Sequence, residues 1–158
     1  QGQLHGLQYI KPDGGKWFIS GTRAKGSFHF IQGDQADKVY ICEGIATGAT
    51  IRYVTGRSVY CAFNAGNLAA VAEAVRAAYP NQQIIIAADN DVKTSGNPGI
   101  TSATKAAKSS IAWLSWPEIQ GQGSDFNDLF VFQGIEAVRA QIEKVGDELA
   151  FGVPTVGV

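Results

Sequence analysis

Five carboxylates stand directly behind, or a few residues past, short apolar runs. Glu43 follows Val39-Tyr40-Ile41-Cys42, Asp89 and Asp91 follow Ile84-Ile85-Ile86-Ala87-Ala88, and Asp125 and Asp128 bracket Phe126-Asn127 beyond the run Ile111 to Trp116. A carboxylate at the end of a buried strand is costly to desolvate unless it is paired, hydrogen-bonded or bound to a cation. Lys93, Lys105 and Lys108 are the nearest bases in sequence, so an ion-pair network is one solution. A hard cation is the other. Oxygen ligands without neighbouring His or Cys suit Mg²⁺ or Mn²⁺, and Mg²⁺ commonly combines one or two carboxylates with water and phosphate oxygens. That chemistry points to phosphate transfer or cleavage. Each acid also has an ordinary reading: Asp-x-Asp is common turn chemistry, Asp125 or Ser124 can N-cap a helix, and Glu43 can be a solvated strand end.

What separates these readings is whether the strands put the acids on one edge. From Lys38 onward, short apolar strands alternate with helix-length segments, the pattern of an α/β core. Strands are expected at Val39 to Cys42, Ser58 to Phe63, Gln83 to Ala88 and Ile111 to Trp116. Helices are expected at Gly44 to Val54, Leu68 to Tyr79 with Asn67 as N-cap, Gly99 to Ser109, Asp125 to Phe132 and Ile135 to Lys144. Three consecutive isoleucines indicate a strand buried on both faces. Right-handed crossovers then give a parallel sheet of about four strands, whose carboxyl ends carry every acid named above. The first residues read differently. Leu7, Tyr9, Trp17, Ile19, Phe28 and Phe30 alternate with polar neighbours, and Pro12-Asp13-Gly14-Gly15 signals a turn, so residues 1–36 form a small antiparallel β unit ending in the linker Gly33-Asp34-Gln35. The core is expected over 37–146, with a tail at 147–158.

Length and composition fit this organisation. The 158 residues are 45% hydrophobic and 17% charged, enough apolar material for one core. No apolar stretch approaches the roughly 20 residues of a membrane span, and Gln1 to Lys11 lack the features of a secretory or transit signal. The cytoplasm is therefore the expected compartment. Cys42 and Cys61 sit in apolar runs and read as small buried hydrophobes. Methionine is absent even at position 1, which suggests a piece of a larger protein. The net charge of −1 offers no whole-chain attraction for nucleic acid, but setting the five acids aside leaves +4.

Three segments together resemble the TOPRIM domain shared by topoisomerases, bacterial primases and some nucleases: Ile41-Cys42-Glu43-Gly44, Ala87-Ala88-Asp89-Asn90-Asp91 with Gly99 downstream, and Ser124-Asp125-Phe126-Asn127-Asp128-Leu129. The resemblance extends over about Asp37 to Lys144. It is strongest to primases of plasmids, phages and other mobile elements, through Gly44-Ile45-Ala46-Thr47, Ala65-Gly66-Asn67-Leu68, and the upstream Lys16-Trp17-Phe18 and Lys25-Gly26-Ser27-Phe28. It implies that Asp89 and Asp91 hold Mg²⁺ or Mn²⁺, that Asp125 is a further acidic ligand or lies just behind one, and that Glu43 is the general acid/base or a ligand. Asp128 is an additional candidate acid. The implied reaction is attack of a primer 3′ hydroxyl on the α-phosphate of a nucleoside triphosphate along a single-stranded DNA template. A helicase module in the parent protein or as a partner is also implied. Two departures bear on the number of metal ions: replicative primases usually carry aspartates where this chain has Thr47 and Asn127.

Lys16, Arg23, Lys25 and His29 beside Trp17 and Phe28 could bind template, cations on phosphates and rings under bases, or could form an ordinary solvated hairpin face. Lys105 and the N-terminus of its helix are candidates for phosphate. Other functions remain open on the sequence. A TOPRIM nuclease would use the same acids to cleave. A non-catalytic nucleic-acid-binding module would use them to hold an ion. Asp89-Asn90-Asp91-Val92-Lys93-Thr94 also resembles the nucleophile motif of haloacid-dehalogenase phosphatases, although that family places it on the first strand. A topoisomerase would need a strand-transferring tyrosine from elsewhere. No zinc ribbon and no phosphate-binding Gly-x-x-x-x-Gly-Lys-Ser/Thr loop occurs in the sequence.

Overall fold

The computed structural model describes residues 3–34 and 37–144; the tail expected at 147–158 lies outside the described residues. Strands β1 (Gln8–Ile10) and β2 (Lys16–Phe18) form an antiparallel hairpin. Its turn is closed by Lys11 N–H to the Gly15 carbonyl at 2.8 Å and Gly14 N–H to the Lys11 carbonyl at 2.9 Å. Tyr9 and Trp17 are cross-strand partners with rings stacked 5.3 Å apart, and the Lys11 ammonium lies 5.2 Å from the Trp17 ring.

The main sheet contains β3 (His29–Ile31), β4 (Lys38–Cys42), β5 (Val59–Cys61), β6 (Gln83–Ala87) and β7 (Trp113–Ser115) in the order β3-β5-β4-β6-β7. The last four are mutually parallel, as expected. One expectation is corrected here: β3 does not belong to the N-terminal antiparallel unit but adds to the core sheet, antiparallel to β5. Phe28 and Phe30 of this segment pack on Tyr60, with ring centroids 5.0 and 4.9 Å away, so crossing to β5 buries aromatic surface and pairs an otherwise open strand edge.

The central strands are buried on both faces, which explains their unbroken apolar runs. Ile84 and Ile86 face a cluster with Leu68, Val71, Val75, Ala103 and Leu114, beneath α2 (Leu68–Ala78) and α3 (Pro98–Ser110). Ile85 faces the opposite cluster with Ile51, Phe126, Leu129 and Val138, beneath α1 (Ile45–Thr55) and α4 (Phe126–Ile142). The two helices expected at the C-terminal end are joined as α4 across a break at Gly134, where φ is 81°. Helix α1 sits close on the sheet through Gly48, where a Cβ would lie 2.3 Å from Cys61 Sγ and 3.3 Å from Cys42 Sγ. Both thiols are free and fully buried, 3.8 Å apart. The neighbouring Cys61 and burial hold the Cys42 thiol protonated.

Asn67 also departs from expectation. Its side chain makes no capping bond to α2. Instead the amide accepts from Gly26 N–H and donates to the carbonyls of Ala24, Ser27 and Ala62, at 2.7 to 3.0 Å. A buried amide with four partners is worth more to the fold than one cap bond, and it fastens the 24–27 loop to the core. No helix among the described residues is long and apolar enough to cross a membrane.

Candidate active site

Strand register decides where the acids meet. Cys42 stands opposite Ala87 in the β4/β6 pair, so the chain leaves both strands at one level, into Glu43 on one side and Ala88-Asp89 on the other. The third segment is brought back by the loop after β7: Ala88 N–H donates to the Ser115 carbonyl at 2.8 Å, Asn90 N–H to the Ser124 carbonyl at 2.6 Å, and the Asn90 side-chain amide to the Pro117 carbonyl at 3.0 Å. Glu43, Asp89, Asp91 and Asp125 thus share the carboxyl edge of the sheet.

Their mutual field is strong. Burial, then Glu43, Asp125 and Asp91, push the Asp89 carboxyl up to about 8, opposed by Lys16. Glu43 is raised chiefly by burial, then by Asp91, against the stabilising Ala65 backbone N–H and the Lys16 ammonium. Glu43 Oε1 and Asp89 Oδ1 are both buried without a hydrogen-bond partner. Oxygens in that state normally have a hidden partner.

Asp91 is held by the loop that follows it. Its Oδ2 accepts from Gly99 N–H at 3.2 Å, its own N–H donates to Asn97 Oδ1 at 2.9 Å, and the Asn97 amide donates to Asn90 Oδ1 at 2.9 Å. Asn97 is the N-cap of α3, in a left-handed conformation before Pro98. The N-terminus of α3, a candidate for phosphate in the sequence, faces the Asp91 carboxylate instead. Gly99 permits the approach, for a Cβ there would stand 2.2 Å from the Asp89 carbonyl oxygen.

Asp125 does cap α4, and it also reaches across the site. Oδ1 accepts from Asp128 N–H and Oδ2 from Thr47 Oγ1, each at 2.8 Å. Asp128 completes the capping box, its Oδ2 accepting from Ser124 N–H at 2.8 Å, so that carboxylate turns into its own loop. The two departures from the primase pattern each take part in a bond from α1 to the start of α4: Thr47 bonds Asp125, and Asn127 Oδ1 accepts from Thr50 Oγ1 at 3.0 Å.

The basic candidates separate. Lys16, from β2, is the one whose charge bears on Glu43 and Asp89, with its Nζ 3.8 Å from where a Gly44 side chain would begin. The hairpin is held there by Phe18, whose ring meets Phe63 edge-on at 5.4 Å. Phe63 has φ of 72°, an unusual conformation for a bulky residue, and its N–H donates to the Glu43 carbonyl at 2.7 Å. Arg23 and Lys25 are exposed on the loop that Asn67 anchors. Lys105 is exposed on α3, where it lines one surface groove with Thr101, Thr104 and Lys108. Sequence reasoning had no account of Asn97 or of Lys16 as a neighbour of the acids; Asn-Pro before a helix was the legible signal for the former.

Among the described residues, no three His, Cys, Asp or Glu side chains close round a single ion position. The donor set nonetheless fits a hard divalent cation: all oxygen, two of the oxygens orphaned, and the carboxylates raising one another's proton affinity.

The model of the Toprim domain family matches residues 38–136. The chain belongs to the Toprim family. Two curated relatives, both DNA primase TraC of Escherichia coli, are 43% identical over 110 residues and 39% identical over 116. These alignments cover 65% and 68% of this chain but 10% and 8% of the relatives, so the chain spans about a tenth of their length. Among solved structures, the RNA polymerase domain of Mycobacterium tuberculosis primase DnaG, crystallised with a double-stranded DNA bearing an overhang, aligns at 17% identity. Its TM-score is 0.46, over 72% of this chain and 37% of that one. Within the Toprim match lie Glu43, Asp89, Asp91, Asp125 and Thr47; the β1/β2 hairpin and β3 precede it.

Proposed function

We propose that this chain is the catalytic Toprim segment of a DNA primase of the plasmid, phage or mobile-element kind, making RNA primers on single-stranded DNA in the cytoplasm. In this reading residues 1–36 work as part of the catalytic core beside the 37–146 unit. The observation that carries it is the pair of buried, unpartnered oxygens on Glu43 and Asp89 at the edge where Asp91 and Asp125 also gather.

Asp89 and Asp91 would hold Mg²⁺ or Mn²⁺, with Asp125 as a further ligand or behind one. A bound divalent cation supplies positive charge to offset the attacking oxygen and the departing pyrophosphate. Glu43, raised by burial and its acidic neighbours, takes the proton of the primer 3′ hydroxyl as that oxygen bonds to the α-phosphorus of the incoming nucleotide. The bond from the α-phosphorus to the bridging oxygen breaks, and pyrophosphate leaves. Lys16 offers its ammonium to phosphate at the mouth of the site. Arg23 and Lys25 extend the positive surface. Trp17 and Phe28, 46% and 41% exposed, offer template bases the parts of their rings that Tyr9 and Tyr60 leave uncovered. Asp128 serves the helix cap, and Lys105 is reserved for nucleic acid passing over α3. A helicase module in the parent protein or as a partner would supply the strand.

The test uses the full-length parent with Mg²⁺ or Mn²⁺. Labelled ribonucleotides on single-stranded DNA are expected to yield short RNA products that disappear with Asp91→Asn. Labelled DNA incubated with metal and without nucleotides is expected to stay intact; shortened DNA that depends on Asp91 would replace primase by nuclease.

A further inference from the structure

Thr47 is almost completely buried, at 1% exposure, in the first turn of α1, and its hydroxyl donates to Asp125 Oδ2 across to a different element. A threonine hydroxyl inside a helix ordinarily bonds back to the carbonyl four residues earlier. Thr55 and Ser110 do so here, bonding the carbonyls of Ile51 and Ala106 at 2.7 Å. For Thr47 the residue four earlier is Glu43, which precedes the extended N-cap Gly44 and so lies outside the helix, its carbonyl receiving the Phe63 N–H at 2.7 Å. The hydroxyl is therefore turned outward to Asp125.

With Asp128 N–H on Oδ1 and Thr47 on Oδ2, each oxygen of Asp125 keeps lone pairs to spare while the carboxylate is held by two bonds from different elements. We propose that Thr47 is a positioning residue, which orients the Asp125 carboxylate toward the edge where Asp89 and Asp91 would hold the divalent cation. This rests on the metal site of the proposed function. It assigns a role to a residue that bears no charge of its own, and it separates Thr47 from Thr50. The latter donates to the Asn127 amide, a group that contributes no charge, and so ties α1 to α4 without touching an acid.

The experiment is calorimetric titration of the 158-residue chain with Mn²⁺. Thr47→Val keeps the shape and removes the donor; partners behind a metal ligand typically change affinity by about ten- to a hundredfold. Mn²⁺ binding is expected to weaken about tenfold in Thr47→Val, to return to within about twofold of the original in Thr47→Ser, and to stay within about twofold in Thr50→Val. Thr47→Ala, without the donor but favourable to helix, gives the same reading if the valine variant does not fold. Asp89→Asn is run beside them. If it abolishes binding while Thr47→Val and Thr47→Ala bind as tightly as the original, the positioning role is overturned and the site stands. Equal weakening by Thr47→Val and Thr50→Val would also overturn it, because the effect would then be general packing of α1 on α4. If Asp89→Asn binds Mn²⁺ unchanged, the site itself falls, and the Thr47 role with it.

Discussion

In the full-length parent, Glu43→Gln and Asp89→Asn are each expected to lower primer synthesis by on the order of a hundred- to a thousandfold while the protein stays folded. Among the described residues, Glu43 and Asp89 are the two acids with an oxygen buried and unpartnered, so replacing either oxygen by an amide breaks no hydrogen bond made by that oxygen. What is lost is charge where charge is needed, and, for Glu43, a group able to take a proton. Circular dichroism and the unfolding midpoint check the fold; extension of a labelled primer checks the activity. Rates within a few-fold of the original from either variant would remove that residue from the catalytic assignment. The same change at Asp128 is expected to act differently, since its carboxylate accepts from Ser124 and Asp125 backbone N–H groups. Its cost falls on helix capping, about 1 kcal/mol of stability.

Without metal, the chain is expected to lose stability as pH rises from about 4 to about 8. The folded Asp89 carboxyl holds its proton up to about 8, and the unfolded chain releases it near 3.8. Between those values the folded state binds more protons, so the contribution is full below about 4 and is lost as pH rises through about 8. Asp89→Asn, which carries no titrating group, is expected to unfold at a temperature several degrees above the original at pH 8 and close to it at pH 4.5. Metal reverses the slope. Since the ligand must be deprotonated, Mn²⁺ affinity is expected to rise with pH by up to about tenfold per unit below about 8, with protons released on binding. Calorimetry in buffers of different ionisation enthalpy counts those protons. A pH-independent midpoint without metal, unchanged by Asp89→Asn, would contradict the buried-acid arrangement.

Much of this was legible in the residues themselves. Ile84-Ile85-Ile86 can be buried only between two layers, and that strand does lie between helix pairs. The acids sit at strand ends in sequence, and parallel register turns that into proximity. Long-range pairing was harder to read. His29 to Ile31 alternates like any hairpin strand, and nothing local says that its partner is β5, some 30 residues away, rather than β2. Asn67 stands where an N-cap belongs, but its amide reaches a loop about 40 residues earlier in the chain, which no local preference encodes. Lys16 was legible as a surface cation; its closeness to Glu43 depends on the docking of Phe18 against Phe63. Asp125 does carry the N-cap that its place in the sequence suggested, one oxygen capping α4, while the other is held by Thr47, a partner that nothing local encodes.

The most direct measurement is Mn²⁺ titration of the isolated chain near pH 8, with and without the paired change Asp89→Asn and Asp91→Asn. Saturable heat that the paired change abolishes, with the unfolding midpoint of the original raised by the ion, is the predicted result. The same heat and the same midpoint shift in the doubly substituted chain would mean that these carboxylates do not share a cation.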